Sequence, residues 1–174
     1  MYKRILIALI PILFMVLYSC KSDVRETDNN DVTIKEQPDQ PKMLPSFAMI
    51  DAQGNTVQLE SFKGKKVFVN LWATWCPPCR AEMPSIEELY SKTDKEKAVF
   101  IMLSLDDNFD KAKNYAVKQN MQAPIYYPAQ NLPELLNTES IPATYIFNEN
   151  GELVKHNIGT DDYSREEYVT LLNK

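Results

Sequence analysis

The stretch Trp75-Cys76-Pro77-Pro78-Cys79 carries the densest chemistry in this chain. Two cysteines separated by two residues can bring their sulfurs within bonding reach, so the pair can cycle between dithiol and disulfide with little backbone motion. Where such a pair opens a helix, the first cysteine meets free amides and the positive end of the helix dipole, which favour an anion. Thiolates in these motifs ionise at roughly pH 3.5–7.5. Cys76 is then the nucleophile, and Cys79, one turn inside, the resolving thiol. In the reductive direction Cys76 attacks a substrate disulfide, and Cys79 attacks the Cys76 sulfur to release the reduced substrate. Three other readings stand beside this one. A structural disulfide would close a very small loop and remove little unfolded-state entropy. A zinc site wants four ligands, and the pair plus the distant His156 falls short. Covalent haem attachment needs a histidine directly after the second cysteine, where this chain has Arg80.

The elements around the pair are legible from patterning. Phe47–Ile50 and Thr56–Leu59, joined by the Gly54 turn, read as a hairpin. Lys66–Leu71 is a continuous apolar strand of the kind covered on both faces. A helix is predicted from about Pro78 to Tyr90, with Met83, Ile86, Leu89 and Tyr90 on one stripe and Pro84 as a kink. Val99–Leu105 is a second buried strand. A helix over Phe109–Gln119 follows, capped by Asp107 or Asn108. Ile125–Tyr127 reads as a short strand and Pro133–Leu136 as a short helix. Thr144–Phe147 and Leu153–Lys155 flank a turn at Asn148–Gly151. Ser164 and Glu167 form a capping box opening a last helix that buries Tyr168, Val169 and Leu172. This alternation predicts one α/β domain over residues 43–174: a central mixed sheet flanked by helices on both faces, with an N-terminal β-hairpin.

Composition narrows the function. The 174 residues include a single histidine and only four glycines, and the formal net charge is −5. Glycine-rich phosphate loops are missing, HExxH zinc hydrolase motifs need two histidines, and no GxSxG elbow occurs. The acidic balance argues against nucleic acid as a partner. No cofactor is implied.

Residues 1–20 read as an export signal: Lys3 and Arg4, then an apolar run over Ile5–Tyr18, shorter than the about 20 residues that span a bilayer. Its end, Leu17-Tyr18-Ser19-Cys20, resembles a bacterial lipobox, with Tyr18 departing from the small or branched residue usual there. That resemblance implies lipidation of Cys20 and cleavage before it; an ordinary secretory signal with an incidental cysteine is the alternative. Residues 21–42 are polar and acidic and read as a disordered tether. An exported chain lives where disulfides persist.

The run from Val67 to Pro84, with Asn70-Leu71-Trp72-Ala73-Thr74-Trp75 leading into the cysteines, resembles the active-site segment of thioredoxin-like proteins. More narrowly it is similar to the membrane-tethered reductases of the ResA/TlpA group, as are Leu44–Phe47, Ser61–Gly64 and Ser140–Thr144. The resemblance covers residues 43–174 and implies the following. The fold is thioredoxin-like, with an extra central helix within Asp106–Pro128. Cys76 and Cys79 are the redox pair, Pro142 is a cis-proline facing them, and the Ile141 backbone pairs with a bound peptide. Glu82 tunes thiol ionisation and proton transfer, and Trp75 covers the disulfide. From the residues alone, Pro142 also reads as a turn residue in trans, Glu82 as a solvated helix residue and Trp75 as a core aromatic. Cytosolic thioredoxins carry a buried aspartate where this chain has Asn70, a departure that shifts the proton-accepting role to Glu82 or water. The activity implied is lipid-anchored reduction of disulfides in exported proteins or apocytochrome c, in the bacterial envelope, with a membrane disulfide carrier as electron donor. The alternatives are a disulfide oxidase or isomerase and a Sco-like copper-binding protein, the latter requiring His156 as a ligand.

Overall fold

Lys66–Trp72 (β3) is the strand on which the sheet is built, and every residue of it after Lys66 is buried. The computed structural model describes residues 42–174; the export segment, Cys20 and the tether up to residue 41 lie outside the described residues. β3 runs parallel to Ala98–Ser104 (β4) and antiparallel to Ala143–Phe147 (β6). Outside them lie Ile125–Pro128 (β5), the hairpin Ala48–Asp51 (β1) with Thr56–Gln58 (β2), and, on the other edge, Leu153–Ile158 (β7). The order across the described sheet is β2-β1-β5-β4-β3-β6-β7. The sheet is mixed, as the alternation of elements predicts.

Among the described residues three α-helices connect or follow these strands: α1 (Pro77–Lys92), α2 (Phe109–Gln119) and α3 (Glu166–Asn173). The period of two along β3 sorts its residues between two cores. Phe68 and Trp72 join Cys79, Met83, Ile86 and Leu89 of α1, Ala112 of α2, and Tyr168 and Leu172 of α3. Val67, Val69 and Leu71 join Phe47, Leu59 and Leu136 on the opposite face. The expected helical cover of both faces is therefore uneven. All three α-helices pack on one face, while 3-10 turns at Leu59–Phe62 and Glu134–Leu136 serve the other. β3, β4 and β5 lie side by side in chain order, so right-handed crossovers place both connecting helices on the same side.

Local differences from the patterning have identifiable causes. α1 begins one residue early, at Pro77, because a proline at the first helical position gives up only an amide that would be unpaired anyway. It continues through Pro84 to Lys92. The capping box does not form. The Ser164 hydroxyl donates instead to Asp162, which also accepts the Ser164 amide, and α3 opens at Glu166 without a side-chain cap. Val169 is half-buried rather than part of the core. β7 runs to Ile158, so His156 lies within the strand instead of just after it.

Candidate active site

The chain leaves the C-terminal end of β3 in a tight turn, closed by the Cys76 amide donating to the Ala73 carbonyl at 3.1 Å. Asp106, just past β4, pins that turn. Its buried carboxylate accepts the Thr74 amide at 3.1 and 3.2 Å, the Thr74 hydroxyl at 2.6 Å and the Ser104 hydroxyl at 2.9 Å. Replacing Asp106 by alanine leaves the part-buried Thr74 amide without its acceptor. Such a loss costs about 1–3 kcal/mol, and urea unfolding of the Asp106→Ala variant reads it directly; an unchanged midpoint would show that the clamp contributes nothing.

Cys76 caps α1 and forms a disulfide with Cys79, with sulfurs 2.06 Å and Cα atoms 5.3 Å apart. The Cys79 amide donates to Cys76 Sγ at 3.2 Å. A thiolate released at Cys76 thus finds an amide donor and a helix N-terminus already aimed at it. Cys79 is fully enclosed, whereas Cys76 keeps 4% of its surface exposed, so an incoming disulfide can reach only Cys76. The Ile141 carbonyl oxygen lies 3.8 Å from Cys76 Sγ, and the Ile141–Pro142 bond is cis. The following strand is tied to β7 by the Gly159 amide donating to the Pro142 carbonyl at 2.8 Å. Trp75 stands 62% exposed beside the pair, which removes the core-aromatic reading.

Glu82 is not a solvated helix residue. It is 3% exposed and lies three residues after Cys79, on the same side of α1. Its Oε1 accepts the Asn70 side-chain amide at 2.7 Å, and its Oε2 accepts the Asp161 backbone amide at 3.4 Å. Burial raises its pKa from 4.5 to about 7, against the opposing pull of the Asn70 hydrogen bond. A carboxyl in that range exchanges a proton readily at neutral pH. Around it sits a buried polar group that the sequence reading did not assemble. Asn70 Nδ2 also donates to Thr144 Oγ1 at 3.0 Å, and the Tyr163 hydroxyl donates to the same oxygen at 2.6 Å. The signal was there in Asn70, a polar residue in the middle of an apolar strand. Its partner Thr144 sits directly opposite it in the β3–β6 register.

His156 does not join this group. It stacks on Tyr145, ring centroids 4.3 Å apart, and Tyr145 belongs to the core on the opposite face of the sheet. Among the described residues, α1 and the 141–142 loop therefore meet at the disulfide, Asn70 holds Glu82 behind it on α1, and His156 stays apart.

The Redoxin family matches residues 26–172. This chain belongs to it. ResA of Bacillus anthracis, a thiol-disulfide oxidoreductase, is 30% identical over 141 residues, 80% of each chain. The thioredoxin-like protein YneN of Bacillus subtilis is 33% identical over 121 residues, covering 68% of this chain and 71% of its own. The fold is shared with the thioredoxin domain of a Bacteroides vulgatus thiol-disulfide oxidoreductase, at a TM-score of 0.68 and 21% identity over 79% of this chain and all of that one. StoA of Bacillus subtilis matches at a TM-score of 0.62 and 23% identity, over 75% of this chain and 99% of its own. This Redoxin is a thiol-disulfide oxidoreductase of the ResA/TlpA type with a thioredoxin-like fold, and its chemistry is thiol–disulfide exchange.

Proposed function

We propose that this oxidoreductase works as a reductase of disulfides in exported proteins or apocytochrome c. In this reading Cys20 carries the lipid that holds the enzyme to a membrane of the bacterial envelope, facing the extracytoplasmic space. A membrane disulfide carrier returns the dithiol after each turnover. The observation that carries the direction is Glu82, buried beside the redox pair. When ionised it places a negative charge next to the reduced thiols and disfavours their thiolates. A couple whose reduced form is less stabilised is more reducing, the reverse of the arrangement that makes a strong oxidant.

The steps balance as follows. The Cys76 thiolate attacks one sulfur of the substrate disulfide, and the first substrate sulfur leaves as a thiolate that takes a proton from solvent. Glu82 accepts the proton of Cys79, whose sulfur then attacks Cys76 Sγ. The second substrate thiolate departs and takes a proton from solvent as Glu82 gives up the one it accepted, and the enzyme is left with the Cys76–Cys79 bond. Substrate has gained two electrons and two protons, and the dithiol has lost them. The exposed Trp75 ring and the Ile141 backbone supply the contacts that hold the substrate chain over Cys76.

The test is the midpoint potential of the Cys76/Cys79 couple in the full chain, measured at pH 7 in defined thiol buffers. A value near or below about −250 mV supports the reductase, and one near about −120 mV overturns it in favour of an oxidase. The anchor is read separately: the Cys20→Ala variant is expected to lose its lipid and leave the membrane fraction, and retention there would overturn that part of the reading.

A further inference from the structure

Asn70 is fully buried, and its two polar ends are treated very differently. Its Nδ2 makes two hydrogen bonds, to Glu82 Oε1 at 2.7 Å and to Thr144 Oγ1 at 3.0 Å. Its Oδ1, able to accept twice, finds no partner among the described residues. Thr144 Oγ1 meanwhile takes two donors, from Asn70 and from the Tyr163 hydroxyl. One hydroxyl oxygen is saturated while a buried carbonyl oxygen close by is empty, an arrangement that calls for a reason.

The reason lies in what Glu82 can do. An ionised carboxylate only accepts, so an amide nitrogen suits it. A protonated carboxyl carries a hydrogen that needs an acceptor, and Asn70 Nδ2 is not one. Half a turn of the amide about its Cβ–Cγ bond exchanges Nδ2 and Oδ1, a torsion that is broad and roughly two-fold. Oδ1 then accepts from the protonated Glu82 and from the Thr144 hydroxyl, which still accepts from Tyr163. The two arrangements have the same number of hydrogen bonds: three within Asn70, Glu82, Thr144 and Tyr163 in either case.

We propose that Asn70 is a positioning residue whose side-chain amide turns over as Glu82 gains or loses its proton, so that the carboxyl stays held beside the cysteine pair in both states. The proposal rests on the proton-transfer reading of Glu82 given above. An aspartate at this position could not do this, because it would set a second carboxyl beside Glu82 and force the two to share a proton. Among the described residues, Glu82 meets neutral Asn70 from β3, and Cys79 lies three residues before it on its own helix. From the segment before α3 it meets Asp161 and Tyr163. Asp161 is itself held by Arg165 at 2.6 Å and by the Tyr168 hydroxyl. A cleft lined by Ala81, Thr160, Asp161 and Asp162 opens beside Glu82 and gives its proton a route to solvent.

The test is an NMR titration of the oxidised full chain from pH 5 to 9, following the Glu82 carboxyl carbon and the Asn70 side-chain amide. The expected result is that both titrate with one midpoint, the Asn70 amide protons losing their hydrogen-bonded signature as Glu82 protonates. The kinetic companion is the pH–rate profile. Asn70→Leu removes a charge-assisted donor from the ionised carboxylate and is expected to move the Glu82 limb upward by about one pH unit, a tenfold change in ionisation at fixed pH. Glu82→Gln should abolish that limb altogether. A Glu82 signal that titrates while the Asn70 amide stays unchanged overturns the proposal and leaves the reading of Glu82 intact. A Glu82→Gln profile like that of the native enzyme overturns the reading itself, and with it the role of Asn70. Should Asn70→Leu fail to fold, the titration of the native chain decides alone.

Discussion

Cys79→Ser stops turnover at the mixed disulfide. With the resolving sulfur gone, Cys76 can still attack a substrate disulfide, but nothing on the enzyme can release it. Steady-state exchange is expected to fall by on the order of a thousandfold or more, the scale on which loss of one member of a covalent-catalysis group is felt. Mass spectrometry of the quenched reaction should find substrate attached through Cys76. Cys76→Ser should abolish turnover to the same extent yet trap nothing, because Cys79 is fully enclosed and no incoming disulfide reaches it. The contrast between the two variants is the informative part. If Cys76→Ser accumulated the adduct and Cys79→Ser did not, the assignment of nucleophile and resolving thiol would be reversed. The helix N-terminus and the amide donor at 3.2 Å from Cys76 Sγ would then have lost their chemical meaning.

Glu82 makes the stability of the oxidised protein fall as pH rises. Its pKa is 4.5 without the fold and about 7 within it, so between these values the native state binds more protons than the unfolded chain. Unfolding free energy therefore declines with pH across that window. The penalty is absent below about pH 4.5 and complete above about pH 7. The full shift corresponds to about 3 kcal/mol. Urea unfolding at pH 5 and pH 8 should show this loss in the native protein and lack it in Glu82→Gln, which is accordingly the more stable of the two at pH 8. The comparison with the variant matters because His156, pushed below its ordinary value by burial, acts in the opposite direction over part of the same window. Parallel pH profiles for the two proteins would refute the buried-carboxyl account. Loss of activity in the more stable variant would show that the cost in stability is borne for function.

Much of the site was legible in the sequence because it is local. The Cys76–Cys79 spacing, the proline-led start of α1 and the apolar run of β3 depend on neighbours along the chain, and each forms within a residue of where patterning puts it. Ser164 shows where local reading stops: a capping signature four residues long lost to a hydrogen bond with Asp162, on the other side of the buried Tyr163. The same limit applies to the uneven helical cover, which follows from the lateral order of β3, β4 and β5 rather than from any helix's own periodicity.

The sequence by itself determined that two cysteines would open a helix after a buried strand, with Cys79 one turn inside, because turn chemistry and helix capping act within a few residues. Tertiary structure alone decided the fate of Glu82. From the chain it could equally have faced solvent; it is buried because β3, β6 and the segment before α3, separated by 12 to 79 residues, meet around it and exclude water. Desolvation is a property of surroundings in space, and so the carboxyl's proton affinity, Asn70's divided role and the exclusion of His156 were settled only when the sheet was assembled.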